Sequence, residues 1–330
     1  MQRRPVARGM GTDRWSHPGF GGYVINVVQI GLGTHGTFIH NVCGNHHELD
    51  RNITWILQCV SERQQAKITG IGVEPVGEHV RALQCTAKSA PGVALVCAAM
   101  GERDMHAVEM HTLGRRRHDQ LLQQVPHAQR EAFMKSLHYI RNMSCVGQVH
   151  PRLAEHQQWM HEEFGVWVDM DREQTDVWTW ATLTQRLNFK SCEVLIVDAE
   201  GQDAAVLRSM LEHCRARQRS GSDEWPSVIQ FETMGHCDKR EGVGAEKGVI
   251  SDMVQEGYVL ICYSNYNSYL AHGTALEWEG GVVQTWAESL ICEKCRLATY
   301  PYVIDADGHV HCERCTDDLA QSGGSLDLWD

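Results

Sequence analysis

Val194-Leu-Ile-Val-Asp198-Ala-Glu200-Gly201-Gln-Asp203 joins an unbroken apolar run to three carboxylates within six residues. The run does not alternate, so it predicts a strand buried on both faces, as in a parallel sheet. A helix is expected over 204–217, where Val206, Leu207, Met210, Leu211 and Cys214 fall on one face. Asp203 has a structural explanation, because negative charge in a helix's first turn complements the dipole. Asp198 and Glu200 have none, since a buried strand end does not carry two acids without partners. Open α/β sheets bind their ligands at such carboxyl ends, which makes both acids candidate functional groups.

Working outward, further apolar runs at 24–30, 68–73, 93–97, 228–231 and 258–263 predict buried strands, with a short one over 105–112. Helices are expected around 36–44 and 51–65. The stretch 115–164 has helix-forming composition between Pro126 and Pro151, and Phe133, Leu137 and Ile140 recur at helical spacing. It reads as a helical insertion. Strands alternating with helices predict an α/β fold with a doubly wound, mostly parallel sheet.

Gly31-Leu-Gly33-Thr-His35-Gly36 lies between the first strand and a helix. Glycines there let the backbone approach a ligand, and the helix start offers unpaired N–H groups. A tight turn without a ligand explains such a loop equally well when it is taken alone. The second strand ends Gly72-Val-Glu74-Pro75, which puts a carboxylate where it can accept from ribose hydroxyls. Glu74 is 38 residues past Gly36, whereas an NAD fingerprint has its acid ~20 residues on. The spacing counts against hydride transfer. Ala99, in Cys97-Ala-Ala-Met-Gly101, is small enough to lie beside an adenine ring, although core packing would also explain it.

Together these motifs resemble the FkbM-type S-adenosylmethionine-dependent methyltransferases, whose central segment reads roughly Ile-Asp-Val-Glu-Gly-x-Glu-x-x-Val-Leu. The likeness runs from Val24 to Leu270 and takes in Trp178-Thr-Trp-Ala-Thr-Leu183, Val228-Ile-Gln-Phe-Glu232 and Glu256-Gly-Tyr258. It implies a seven-stranded class I methyltransferase (Rossmann-like) sheet with its last strand antiparallel. S-adenosyl-L-methionine would lie over Gly31, Gly33 and Gly36, with Glu74 on the ribose and Gln29, His35 and Ala99 nearby. The family mostly O-methylates hydroxyls of sugars, lipids and natural products. Two positions depart from its pattern: Gln29 stands where an Asp is usual, and Thr34-His35 where Asn is frequent. Gln29 keeps hydrogen-bonding capacity but loses charge beside the cationic amino-acid moiety.

Methyl transfer is an in-line displacement at a sulfonium carbon, for which positioning supplies up to ~7–11 kcal/mol and a base ~10²–10⁴ in rate. Asp198 is the first candidate for base or acceptor anchor, and Glu200 the next. Glu232 and His236, in Phe231-Glu-Thr-Met-Gly-His236, follow another strand and would flank the same cleft. Any one of the 19 histidines is by default a surface residue. Arg115-Arg-Arg-His118 reads as a solvated helix start rather than an anion site.

Of thirteen cysteines, four form two CxxC pairs, Cys292-Glu-Lys-Cys295 and Cys312-Glu-Arg-Cys315, separated by sixteen residues. Four thiolates at this spacing suit a closed, structural Zn²⁺ site, worth roughly 10–16 kcal/mol in peptides. His309 and His311 are spare donors. A strand near 300–304 and a turn at 305–308 complete a zinc-ribbon-like module, a type that often binds protein partners. The expected organisation is a leader over 1–22, a methyltransferase domain over 23–285 with its insertion at about 115–164, the zinc module over 286–320 and a tail over 321–330.

The chain has 330 residues, 42% hydrophobic, with a net charge of −12. That balance argues against nucleic acid as a partner, and no apolar run reaches the ~18–20 residues of a membrane span. Scattered single cysteines and a basic start without an apolar core point to a reducing, cytoplasmic setting, with organelle targeting left open. The leading expectation is an O-methyltransferase acting on a small molecule, sugar or lipid. The alternatives are a non-catalytic protein of this fold acting through its zinc module and, behind it, an NAD-dependent oxidoreductase.

Overall fold

A computed structural model describes residues 24–33, 67–88, 92–189, 191–222, 224–263, 267–272, 302–304 and 310–312. The leader, the helices expected at 36–44 and 51–65, His35, Gly36, Cys292, Cys295 and Cys315 lie outside these residues.

The apolar runs become the centre of a sheet. Strand β1 (Val24–Ile30) pairs in parallel with β2 (Lys67–Val73) on one side and with β8 (Val194–Val197) on the other. Val27, Val28 and Ile30 are buried, as are all four residues of β8, the pattern of strands covered on both faces. Strand β3 (Val93–Val96) extends the sheet beyond β2, and β9 (Val228–Glu232) extends it beyond β8, all in parallel. Strands β10 (Tyr258–Tyr263) and β11 (Asn267–His272) complete it. The order is β10-β11-β9-β8-β1-β2-β3, and β11 runs antiparallel to both of its neighbours. This mostly parallel sheet of seven, its last strand reversed, is compatible with the Rossmann-like methyltransferase arrangement that the sequence implied.

Helix α1 (Gly77–Ala87) follows β2, and α5 (Trp180–Leu187), α6 (Asp203–Arg219), α7 (His236–Glu241) and α8 (Ala245–Gln255) follow in the second half. The helix expected over 204–217 is α6, and its five anticipated apolar residues all enter the main core.

The segment between β3 and α5 leaves the main sheet. Strands β4 (Ala99–Met100), β5 (Met105–Thr112), β6 (Cys145–Val146) and β7 (Asp171–Trp178) form a second sheet of order β4-β7-β5-β6. The strand expected at 105–112 therefore exists but does not belong to the main sheet. Helices α2 (Arg115–Gln123), α3 (Arg130–Asn142) and α4 (Pro151–Phe164) lie between β5 and β7. They fold around a core of their own, in which Leu121, Phe133, Leu137, Ile140, Leu153 and Met160 are buried. A short hairpin pairs β12 (Tyr302–Ile304) with β13 (Val310–Cys312), placing Tyr302 opposite Cys312. Among the described residues no helix is long and apolar enough to cross a membrane.

Candidate functional site

The strand order reverses between β1 and β8, and a crevice opens beyond the carboxyl ends of these two strands. A cavity of about 230 Å³ lies there, lined by Gln29, Gly31, Gly33, Glu74, Ala99, Asp198 and Glu200 among others. Asn142, Ser144 and Val146, from the insertion, form part of its wall. No motif in the sequence points to this last contribution.

Gly31 is fixed by its surroundings. Its φ is +81°, its N–H donates to the Val73 carbonyl at 2.9 Å, and a Cβ there would stand 1.7 Å from the Asp198 carbonyl oxygen. The glycine loop and the Asp198 turn are therefore in backbone contact. Gly33, at φ +53°, has nothing closer than 3.7 Å to an added Cβ. Gln29 is buried, and its side-chain amide donates to the Gly31 carbonyl at 3.3 Å.

Glu74 lines the cavity, but its carboxylate is already engaged. One oxygen accepts from the N–H groups of Leu32 (3.1 Å) and Gly33 (2.9 Å), and the other from the N–H of Val76 at 3.0 Å. His79 Nδ1 lies 3.2 Å from that second oxygen. A carboxylate offers about four acceptor positions, and all are taken. Glu74 fastens the glycine loop to the second strand.

The Asp198 turn is held from within. Asp203 is fully buried and accepts from the N–H groups of Ala199 (3.3 Å) and Gly201 (3.1 Å). It clamps the loop, a more specific role than the dipole contact expected of it. Burial, then the nearby Glu232 carboxylate, raise its pKa to about 7. Between the two clamped amides Glu200 adopts φ +50°, a left-handed conformation that is uncommon for a residue with a side chain. Such strain recurs at functional sites.

Asp198 is exposed to the cleft, so water reaches its side chain. The protein crowded around it, and then the carboxylates of Glu232, Glu200 and Asp203, nevertheless push its pKa well above the usual range.

At the end of β9, Glu232 and His236 come beside Glu200; the sequence expected them to flank the cleft, and of the three only Glu200 lines the cavity. His236 Nδ1 is 2.8 Å from Glu232 Oε2 and 3.4 Å from Glu200 Oε2. These contacts miss hydrogen-bonding direction, leaving all three atoms buried without a hydrogen-bond partner. Burial alone would lower the imidazole's pKa, but the two carboxylates raise it to about 10.

His150, which was not anticipated, completes this arrangement. It caps α4 by accepting from the Arg152 N–H through Nδ1 at 3.1 Å, so its other nitrogen carries the proton. That nitrogen donates to the His236 carbonyl at 2.9 Å. Arg152 donates to the Met234 carbonyl at 2.9 Å. His150-Pro151 could be read as a helix start, but no local signal showed what the cap would touch.

No protein-family model matches this chain, and no curated protein does. Among solved structures, a chain of a fibrillarin/Nop5p complex is similar with a TM-score of 0.31 and 8% sequence identity. The match covers 75% of this chain and 72% of that one, and a likeness of that size identifies no family.

Proposed function

We propose that this protein is an S-adenosylmethionine-dependent methyltransferase of FkbM type that O-methylates a hydroxyl on a small molecule, sugar or lipid. The observation that carries the reading is the meeting of the glycine loop, Glu74 and the Asp198–Glu200 turn at the switch point of a seven-stranded sheet whose β11 is reversed. The cradle fits such a cofactor in two respects. Gly31 and Gly33 line the cavity without a Cβ, and Gln29 presents a polar side chain to it.

Gln29, Gly31, Gly33 and Ala99 would hold the cofactor with Glu74, His35 and Gly36. Glu74 would act first by shaping the loop, and a ribose hydroxyl would have to share an oxygen already in use. The bound cofactor supplies an electrophilic methyl group on sulfur. Asp198 faces the cleft with a raised pKa, so its ionised form is a stronger base toward an acceptor hydroxyl than an ordinary aspartate. Glu200, Glu232 and His236 would orient that acceptor. In the tail, Cys292, Cys295, Cys312 and Cys315 would hold a structural Zn²⁺ in a module that offers a surface to a protein partner. Among the described residues, the free thiols at Cys97, Cys145, Cys192, Cys214 and Cys237 fit a reducing compartment.

A second reading, a non-catalytic protein of this fold, is favoured by Gln29 and by the saturated carboxylate of Glu74. Calorimetry with S-adenosylmethionine, S-adenosylhomocysteine and NAD separates the two. Heat with both sulfur ligands and none with NAD is expected, and silence with both sulfur ligands would end the enzyme reading. Asp198→Ala should then abolish turnover while sparing cofactor affinity.

A further inference from the structure

Glu200, Glu232 and His236 offer one donor atom each, all within 4.8 Å of one another. They come from two different segments. Glu200 sits on the strained turn after β8, Glu232 ends β9, and His236 opens α7. His236 is only 2% exposed. The facing atoms, Glu200 Oε2, Glu232 Oε2 and His236 Nδ1, are buried and without hydrogen-bond partners, as is His236 Nε2. Buried polar groups are nearly always satisfied, and these three facing atoms meet only one another, at ion-pair distance, so they call for a ligand they share.

The spacing suits an ion. Bonds of about 2.1 Å in tetrahedral or octahedral geometry set donor atoms roughly 3.0–3.4 Å apart. His236 Nδ1 lies 3.4 Å from one carboxylate oxygen, within that range, and 2.8 Å from the other, 0.2 Å short of it. Two carboxylates and one imidazole bring two negative charges and a mixed O/N set, which favours a borderline divalent transition ion over Ca²⁺. The surroundings hold the donors in place. Asp203 clamps the amides on either side of Glu200, and His150 and Arg152 tie down the carbonyls of His236 and Met234.

We propose that Glu200, Glu232 and His236 bind a divalent transition-metal ion of the Mn²⁺–Zn²⁺ kind. Three protein ligands leave coordination positions open. Glu200 also lines the cleft, so the ion lies one side chain from whatever occupies it. The competing account is an imidazolium paired with two carboxylates and no metal.

Mn²⁺ is the discriminating probe, because its hard character makes the thiolates of the CxxC pairs poor competitors. The full chain, given only the one Zn²⁺ its four CxxC thiolates would hold, stripped of more weakly held metal by brief chelation and desalting, and free of S-adenosylmethionine, is titrated with Mn²⁺ while the free-ion signal is followed by electron paramagnetic resonance. The wild type should take up one Mn²⁺ per chain. Glu232→Gln and His236→Gln, each checked for native circular dichroism, should weaken uptake by at least about tenfold. If neither variant folds, Glu200→Gln at the cleft rim serves in their place with the same expectation. No uptake by the wild type, or less than a tenfold change in a folded variant, overturns the site. The titration contains no sulfur ligand, so its outcome is independent of the methyltransferase reading.

Discussion

Replacing Gly31 by alanine places a Cβ 1.7 Å from the carbonyl oxygen of Asp198, which is 3.0 − 1.7 = 1.3 Å inside the closest approach that real Cβ atoms show. Neither partner is a flexible side chain that could step aside. The Asp198 N–H donates to the Ile30 carbonyl at 2.9 Å, and the Gly31 N–H donates to Val73 at 2.9 Å, so relief must loosen the top of β1. A side chain at φ +81° costs about 1–2 kcal/mol. Forced displacement in a packed region adds about 1–3 kcal/mol, and weakening one buried backbone hydrogen bond adds about 0.5–1.5 kcal/mol. Together, Gly31→Ala should destabilise the fold by about 3–6 kcal/mol. Gly33→Ala is the internal control. It carries a φ of +53° but meets nothing closer than 3.7 Å, so only the conformational cost of about 1–2 kcal/mol applies. Urea unfolding followed by tryptophan fluorescence reads both variants. Should Gly31→Ala lie within about 1 kcal/mol of Gly33→Ala, the backbone contact between the two loops is not what shapes the cleft.

Glu74→Gln turns an NH₂ group toward the N–H donors of Leu32 and Gly33 or toward that of Val76. A loss of about 1–3 kcal/mol in urea unfolding is expected, and an unchanged midpoint would deny Glu74 its role as fastener of the loop. His150→Ala removes both the α4 cap and the bond to the His236 carbonyl; it should cost about 1–3 kcal/mol, and a neutral result would detach the insertion from the site. Glu224 accepts from Arg217 at 2.6 Å and from Ser222 at 2.9 Å; burial opposes ionisation, but Arg217 still holds the carboxyl below its ordinary 4.5. Its folded pKa is the lower one, so its contribution is present above pH 4.5 and fades as pH falls through the folded value. Glu224→Gln should therefore lower the melting temperature slightly at pH 7 and leave it unchanged in strong acid; an equal effect at both pH values would refute the ion-pair account.

The strands of the main sheet were legible because burial on both faces leaves an unbroken apolar signature, as in Val194–Val197. Strand β7, Asp-Arg-Glu-Gln-Thr-Asp-Val-Trp, was not, because three of its first four residues are exposed and its polar composition reads as loop. Strand β11 is fully buried after its first residue but is short and begins Asn-Ser-Tyr, so the family resemblance supplied its existence and not its place. The acids of the site were legible by position, since apolar strands that end in carboxylates are conspicuous. Their partners were less so. Glu74 was expected to face a ligand; it lines the cavity, but its oxygens are engaged by the loop backbone, and residue spacing does not tell a carboxylate's ligand from its anchor. His150 lies 86 residues before His236, and a contact between segments so far apart leaves no local pattern.

The insertion is therefore more than an appendage on the sheet. It folds around its own core, then reaches the site through a small number of polar contacts: His150 to the His236 carbonyl, Arg152 to Met234, and the Arg240 guanidinium of α7 back to the Val146 carbonyl at 2.9 Å. Gly201 shows how close the approach is, for a Cβ there would meet His150 at 2.9 Å and the His236 carbonyl at 3.1 Å. The sheet fixes the acids and the glycine loop, and the insertion supplies Asn142, Ser144 and Val146 to the wall facing them. Its separate core lets that wall change without disturbing the sheet, whereas the contacts at His150 tie any shift of the insertion to the turn that carries Glu200. Two carboxylates against one buried imidazole, with Asp198 and Asp203 close enough for like charge to raise their pKa values, are a poor arrangement for stability alone, since like charges in a desolvated place repel. Left-handed backbone at Glu200 adds to that cost. Both features occur where the two cores meet, which is the position expected of a site whose chemistry is shaped jointly by the sheet and the insertion.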